Sequence, residues 1–279
     1  MLKVPGAIVD CDWLQKHINH PDLIVLDATI PKVTAKTDQT SKDEYIPSTR
    51  FFDIKKQFSD TNAEFPNTML PSEDFEQKAQ ELGIRNDSCV VVYDQLGIYS
   101  SPRVWWMFKV MGFDNIAVLN GGLPEWKQLG YNTVDAVDSD FTKGDFKANS
   151  KGEAFVNTKF VLNSLNDHQH QILDARSNAR FKGEAAEPRK GVKSGHIPTS
   201  NSLPYTSLIE GNKIKSKENL KELFQQSNED KKLMIFSCGT GITACVLALG
   251  AEISGYKNFK VYDGSWTEWG SLPDVPIEV

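Results

Sequence analysis

The chain repeats itself. Leu23–Ala28 (LIVLDA) returns as Gln171–Ala175 (QILDA) at an offset of 147 residues. Tyr45-Ile46-Pro47 has its counterpart in His196-Ile197-Pro198. Val90–Tyr93 followed by Gly97-Ile98 parallels Met234–Ser237 followed by Gly241-Ile242 at 144, and Asn115–Trp126 parallels Asn258–Trp269 at 143. Four blocks in one order, with offsets that drift only by small indels, identify a duplicated unit of about 130 residues, an ordinary domain size. The copies are expected at 1–134 and 153–279. The intervening 135–152 (DAVDSDFTKGDFKANSKG) is polar without an apolar period and reads as a linker.

Within each copy, short β-branched runs bounded by turn residues alternate with amphipathic stretches. The runs are Leu23–Leu26, Val90–Tyr93 and Ala117–Leu119, then Ile172–Leu173, Leu233–Phe236 and Lys260–Tyr262. Helical stretches are expected at Ser72–Leu82, Pro102–Met111, Ser216–Gln226 and Thr243–Ser254. Continuously apolar strands alternating with helices predict an α/β fold, a mainly parallel sheet flanked by helices on both faces in each copy. Ligands of such sheets bind beyond the carboxyl ends of the strands. The loops after Tyr93 and Ser237 are therefore the places to search.

Composition excludes several classes. No apolar run approaches the roughly 18 residues of a membrane span, and the N-terminal MLKVPGAIVDCDW lacks the apolar core of a signal peptide, so a cytoplasmic chain without membrane association is expected. A net charge of −6 argues against nucleic-acid binding. That total conceals −8 in residues 1–140 and +2 in 141–279, which directs a search for an anionic ligand to the second half. Four cysteines, Cys11, Cys89, Cys238 and Cys245, are too few and scattered for a disulfide framework, and none forms a CxxC pair. His168 and His170 have no cysteine at ligand spacing, so neither metal nor cofactor is expected.

The strand Leu233–Ser237 leads into Cys238-Gly239-Thr240-Gly241-Ile242-Thr243 and then a helix. Two glycines in four residues let successive N–H groups turn inward as an anion cradle, and the helix N-terminus adds partial positive charge. That setting favours a thiolate at Cys238, which makes it a candidate nucleophile. Cys245 lies inside the helix on the apolar series with Leu249 and reads as core. A cysteine phosphatase needs an arginine six residues after its nucleophile, and position 244 is Ala. His196 reads as a turn residue, which leaves a protease without a base. In the first copy Asp94 stands in register with Cys238; a carboxylate forms neither persulfide nor thioester, so that copy is expected to be catalytically silent.

These residues resemble the tandem-domain rhodanese superfamily, and within it the 3-mercaptopyruvate sulfurtransferase branch. The likeness spans both copies. It rests on Phe51-Phe52-Asp53-Ile54, Met69-Leu70-Pro71, Val91–Asp94, Ser101–Phe108, Asn120-Gly121-Gly122 with Trp126, Asp174-Ala175-Arg176, Arg180-Phe181, Glu187-Pro188-Arg189, Gly195–Pro198, Cys238–Ala244 and Tyr262–Trp266. The resemblance implies two rhodanese-like domains and sulfur transfer through a Cys238 persulfide cradled by Gly239, Thr240, Gly241, Ile242 and Thr243. The donor implied is 3-mercaptopyruvate, held by Arg180 and Arg189; the acceptor is a thiol such as thioredoxin or a small thiol, or cyanide. Guanidinium forks suit a planar α-keto acid. The bland reading of both arginines is an ion pair within the Glu184–Arg189 run.

The thiosulfate-preferring branch carries Arg and Lys after the cysteine, where this chain has Gly239 and Thr240. Thiosulfate:cyanide transfer is therefore the second reading, and a non-enzymatic sulfur-carrier or regulatory module the third. The family's usual serine in the loop is Thr240 here, which keeps a hydroxyl for the departing enolate. The histidine many members carry before Met-Leu-Pro is Thr68, so a relay from Asp53 is not carried over and Asp53 is only a weak candidate. Trp105, Trp106, Trp126, Trp266 and Trp269 read as packing, and Arg103, Arg176 and Asp174 as structural ion-pair partners.

Overall fold

The computed structural model describes residues 1–33, 44–150, 154–228 and 232–279. Residues 151–153, where the expected linker ends and the second copy begins, lie outside them. The chain divides into two units, one of Met1–Asp60, Met69–Lys151 and Gly211–Ile214, the other of Thr61–Thr68, Gly152–Glu210 and Lys215–Val279.

Each unit holds a five-stranded sheet, and the two share one strand order. In the first the order is Ile8–Val9, Ile116–Leu119, Cys89–Tyr93, Leu23–Asp27, Thr49–Phe51; in the second it is Phe155–Val156, Phe259–Tyr262, Leu233–Ser237, His170–Asp174, Asn201–Ser202. All of these pairings are parallel, with Leu26 beside Val92 in one unit and Leu173 beside Phe236 in the other. Strands covered on both faces must be apolar throughout, and Cys89–Tyr93 is buried along its whole length. The expected helices appear at Ser72–Glu81, Ser101–Val110, Lys217–Ser227 and Ala244–Ile253.

Small devices repeat as well. Asp10 Oδ1 accepts the N–H of Trp13 at 2.7 Å to cap the helix Cys11–His17, and Asn157, in the same place, caps Thr158–Ser164 through the N–H of Phe160 at 3.0 Å. Tyr45 exchanges backbone hydrogen bonds with Val134 as His196 does with Glu278. His196 also stacks on Phe181 at 3.9 Å, with Nδ1 2.9 Å from the Phe181 carbonyl oxygen. It is a turn residue, as its sequence setting indicates.

The stretch that follows the first copy is strapped onto the first unit. Gly144 donates to the Gln80 carbonyl, Phe146 to that of Ile84 and Asn149 to that of Met111. Phe146 is fully buried, edge-on to Phe75 and Phe108. A Cβ at Gly144 would lie 1.9 Å from the Ile84 carbonyl oxygen, so only glycine allows this approach.

Candidate active site

Cys238 is the first residue past the strand Leu233–Ser237, and the helix that follows its loop, Ala244–Ile253, is buried over nearly its whole length. Two glycines and a buried helix start let the loop fold tightly on itself, with Gly241 at φ +73°. Cys238 is 1 % exposed, and Thr240, Gly241 and Ile242 are buried; Gly239 and Thr243 are the half-exposed members. Cys245 is buried and its thiol donates to the Gly241 carbonyl at 3.2 Å, in keeping with a packing role.

The loop is bolted to the segment Tyr262–Trp269. Ser265 Oγ accepts the N–H groups of Cys238 and Gly241, each at 3.1 Å, and donates to the Tyr262 carbonyl at 2.8 Å. The same oxygen lies 3.9 Å from Cys238 Sγ. Trp266 N–H donates to the Cys238 carbonyl and Thr267 N–H to that of Gly239, both at 2.9 Å. Sequence reasoning passed over Ser265. The signal was present, because the repeat aligns it with Gly122, and the backbone there is left-handed in both copies.

Asp94 shows what such a loop holds. Its Oδ2 accepts the N–H groups of Tyr99, Ser100 and Ser101 at 2.9, 3.0 and 2.9 Å and the Ser101 hydroxyl at 2.7 Å. Its Oδ1 accepts the N–H of Leu96 at 3.0 Å. In register these donors are Thr243, Ala244, Cys245 and Thr240. The carbonyl of Asp94 accepts from Leu123 N–H as that of Cys238 accepts from Trp266 N–H.

Arg180 is brought to the loop. Its guanidinium lies 3.3 Å from the point a Cβ on Gly239 would occupy. Nε donates to Glu187 Oε1 at 3.1 Å and Nη2 donates to Oε2. Glu187 is almost fully buried and also accepts from Arg176 Nη1 at 2.9 Å. Arg176 in turn forks onto Asp174, donates to the Gly195 carbonyl and stacks 4.4 Å over the Trp266 ring. Asp174 and Arg176 are thus the structural pair expected from sequence. Arg180 does form an ion pair within the acidic-basic run, but with a buried carboxylate beside the Cys238 loop rather than on open surface. Arg189 is half-buried two residues beyond Glu187.

Asp53 belongs to the other unit, where Oδ1 accepts the N–H groups of Lys55 and Lys56 and caps the turn that follows. The Thr68 hydroxyl donates to the Phe65 carbonyl at 2.8 Å. Among the described residues no group of three His, Cys, Asp or Glu side chains is placed to hold a metal ion, and no helix is long and apolar enough to cross a membrane.

Comparison with known proteins agrees with this picture. The Rhodanese-like domain model matches twice, at residues 10–129 and 158–272. The chain is 40 % identical to thiosulfate/3-mercaptopyruvate sulfurtransferase 1, mitochondrial, of Arabidopsis thaliana, over 97 % of this chain and 78 % of that one. It is 37 % identical to the thiosulfate sulfurtransferase of Rattus norvegicus, over 94 % of this chain and 91 % of the other. The crystal structure of the 3-mercaptopyruvate sulfotransferase SseA from Escherichia coli superposes with a TM-score of 0.83 at 32 % identity, covering 94 % of this chain and 99 % of that one. With both copies matched and relatives of this identity along most of its length, the chain belongs to the rhodanese family.

Proposed function

We propose that this protein is a sulfurtransferase that takes sulfur from 3-mercaptopyruvate onto Cys238 and passes it to a thiol or to cyanide. The Cys238 thiolate attacks the donor sulfur, the donor C–S bond breaks, and its electron pair leaves as the enolate of pyruvate. The proton once carried by the donor thiol moves to the enolate carbon, with the Thr240 hydroxyl as its carrier, and Cys238 is left as an anionic persulfide. Thiolate of the acceptor, thioredoxin or a small thiol, then attacks the outer sulfur and frees Cys238; cyanide leaves as thiocyanate.

The observation that carries this reading is the Asp94 loop. A carboxylate oxygen lies two bonds beyond Cβ, and so does the outer sulfur of a persulfide. The N–H groups that hold the Asp94 carboxylate have register counterparts at Thr240, Thr243, Ala244 and Cys245, suited to the negative sulfur. Arg180 beside Gly239, with Arg189, supplies the forks for the carboxylate and carbonyl of the keto acid. The first copy, with Asp94 in place of a thiol, is silent, and the domains run 1–134 and 153–279 about the 135–152 linker. The cytoplasm is the proposed compartment; all four cysteines are free thiols, which suits a reducing one.

Thiosulfate is the second donor to consider, since a relative is named for it. Uncharged Gly239 and Thr240 favour the singly charged keto acid over a dianion. Pyruvate release from 3-mercaptopyruvate with a thiol acceptor, measured beside thiocyanate formation from thiosulfate, tests the proposal. The larger kcat/KM is expected for mercaptopyruvate; a larger value for thiosulfate would reverse the donor assignment, and no transfer from either would overturn the activity.

A further inference from the structure

Glu187 is the buried hub of the second unit's polar network. Two guanidinium groups converge on it: Arg176 through Nη1 on Oε1, Arg180 through Nε on Oε1 and Nη2 on Oε2. With Asp174 on the far side of Arg176, the four side chains hold two positive and two negative charges. The hub is tied to the Cys238 loop along two paths. Arg176 stacks on Trp266, whose N–H holds the Cys238 carbonyl, and Arg180 lies against Gly239.

From this geometry, and resting on the sulfurtransferase reading above, we infer that Glu187 is a positioning residue that sets donor choice by neutralising and aiming the Arg180 guanidinium. Two of Arg180's N–H donors, on its Nε–Nη2 edge, are spent on Glu187, so the fork is fixed in one orientation with Nη1 and Nη2 towards Gly239. A fixed fork suits a planar carboxylate next to a carbonyl, which is recognised by direction. Its charge is already balanced, so it gives little extra attraction to a second negative charge. The site therefore discriminates against a dianionic donor such as thiosulfate. Loop residues Gly239 and Thr240 withhold positive charge, and Glu187 balances that of Arg180.

Removing the carboxylate charge while keeping the shape tests this. Glu187→Gln is expected to raise the ratio of kcat/KM for thiosulfate to kcat/KM for 3-mercaptopyruvate by about tenfold, mostly through KM, while Glu187→Asp stays within about threefold of the wild type. General damage to the Cys238 loop would lower both rates and leave the ratio in place. In an Arg180→Gln background, Glu187→Gln should move the ratio by less than about threefold, because the effect runs through Arg180. An unchanged ratio in Glu187→Gln, or an equal shift without Arg180, overturns the inference. The wild type supplies a measurement that needs no variant to fold: pyruvate should inhibit turnover of 3-mercaptopyruvate more strongly than sulfate does, and the reverse order contradicts the charge argument. A wild-type protein that takes sulfur from neither donor overturns the underlying activity, whereas one that transfers sulfur with an unmoved ratio overturns the role of Glu187 alone.

Discussion

Ser265 stands where the first copy has Gly122, and both residues hold the left-handed backbone, at φ +50° and +55°. In the first copy glycine is required, since a Cβ on Gly122 would lie 2.2 Å from the Asp94 carbonyl oxygen. In the second copy a serine accepts the strain of that conformation, about 1 kcal/mol for a residue with a Cβ. Its hydroxyl binds three backbone groups, the N–H groups of Cys238 and Gly241 and the carbonyl of Tyr262.

The strain and the hydrogen bonds make opposite contributions to Ser265 variants. Ser265→Gly loses the hydroxyl but relieves the backbone, so it should unfold within about 1 kcal/mol of the wild type, with Ser265→Ala about 1 kcal/mol less stable than the glycine variant. Both should lower sulfur transfer by at least about tenfold, because two N–H groups of the Cys238 loop lose their common acceptor. Urea unfolding beside steady-state rates checks this. A glycine variant with full activity would show that Ser265 only supports the fold.

Asp94 has the opposite character, a charge fully committed to structure. Its carboxylate is completely buried and accepts from four N–H groups and one hydroxyl. Asp94→Ala leaves those donors without their partner and should destabilise the protein by about 3 kcal/mol or more. Once folded, the variant should transfer sulfur at a rate within about twofold of the wild type, since the first copy is silent in this account. Chemical denaturation and pyruvate release at a temperature well below the transition separate the two effects. A tenfold loss of rate in folded protein would show that the first loop takes part in the chemistry.

Asp27 makes stability depend on pH. Burial pushes its carboxyl up to about 6, against the hydrogen bonds from Thr29 and from Gln95, whose Nε2 lies 3.5 Å away; the charge of Asp94 adds to the upward push. The Oε1 of Gln95 is buried with no hydrogen-bond partner among the described residues, and after an amide flip either a protonated Asp27 or an asparagine donates to it. A carboxyl whose folded value is raised contributes stability that is full below its unfolded value near 4 and lost as pH climbs through about 6. Asp27→Asn removes that loss. At pH 8 it should be more stable than the wild type by on the order of 2 kcal/mol, with the advantage fading by pH 4. Thermal melts across that window test the sign, and an advantage that grows towards acid would contradict it.

The repeat made most of the fold legible. Apolar runs at matching offsets located the central strands, because a parallel sheet covered on both faces writes itself as continuous Val, Ile and Leu. The edge strands Ile8–Val9 and Asn201–Ser202 are two residues long and write nothing. The docking of 144–149 was also hidden, since polar composition is blind to one phenylalanine and one close glycine contact. At the site, Cys238 and its loop stood out by local spacing. Ser265 and Glu187 act through contacts made in three dimensions, 27 residues and 51 residues from Cys238; the alignment of Gly122 with Ser265 pointed to one, and the acidic-basic run Glu184–Arg189 to an ion pair but not to its place beside the loop.

The central claim is that Cys238 carries the transferred sulfur. Intact-protein and peptide mass spectrometry after incubation with 3-mercaptopyruvate, with no acceptor present, reads it directly. The account predicts a gain of one sulfur atom per chain on the peptide containing Cys238, matched by one pyruvate released, removed by added thiol or cyanide and absent in Cys238→Ser. A chain of unchanged mass, or a sulfur adduct that persists in Cys238→Ser, would contradict it.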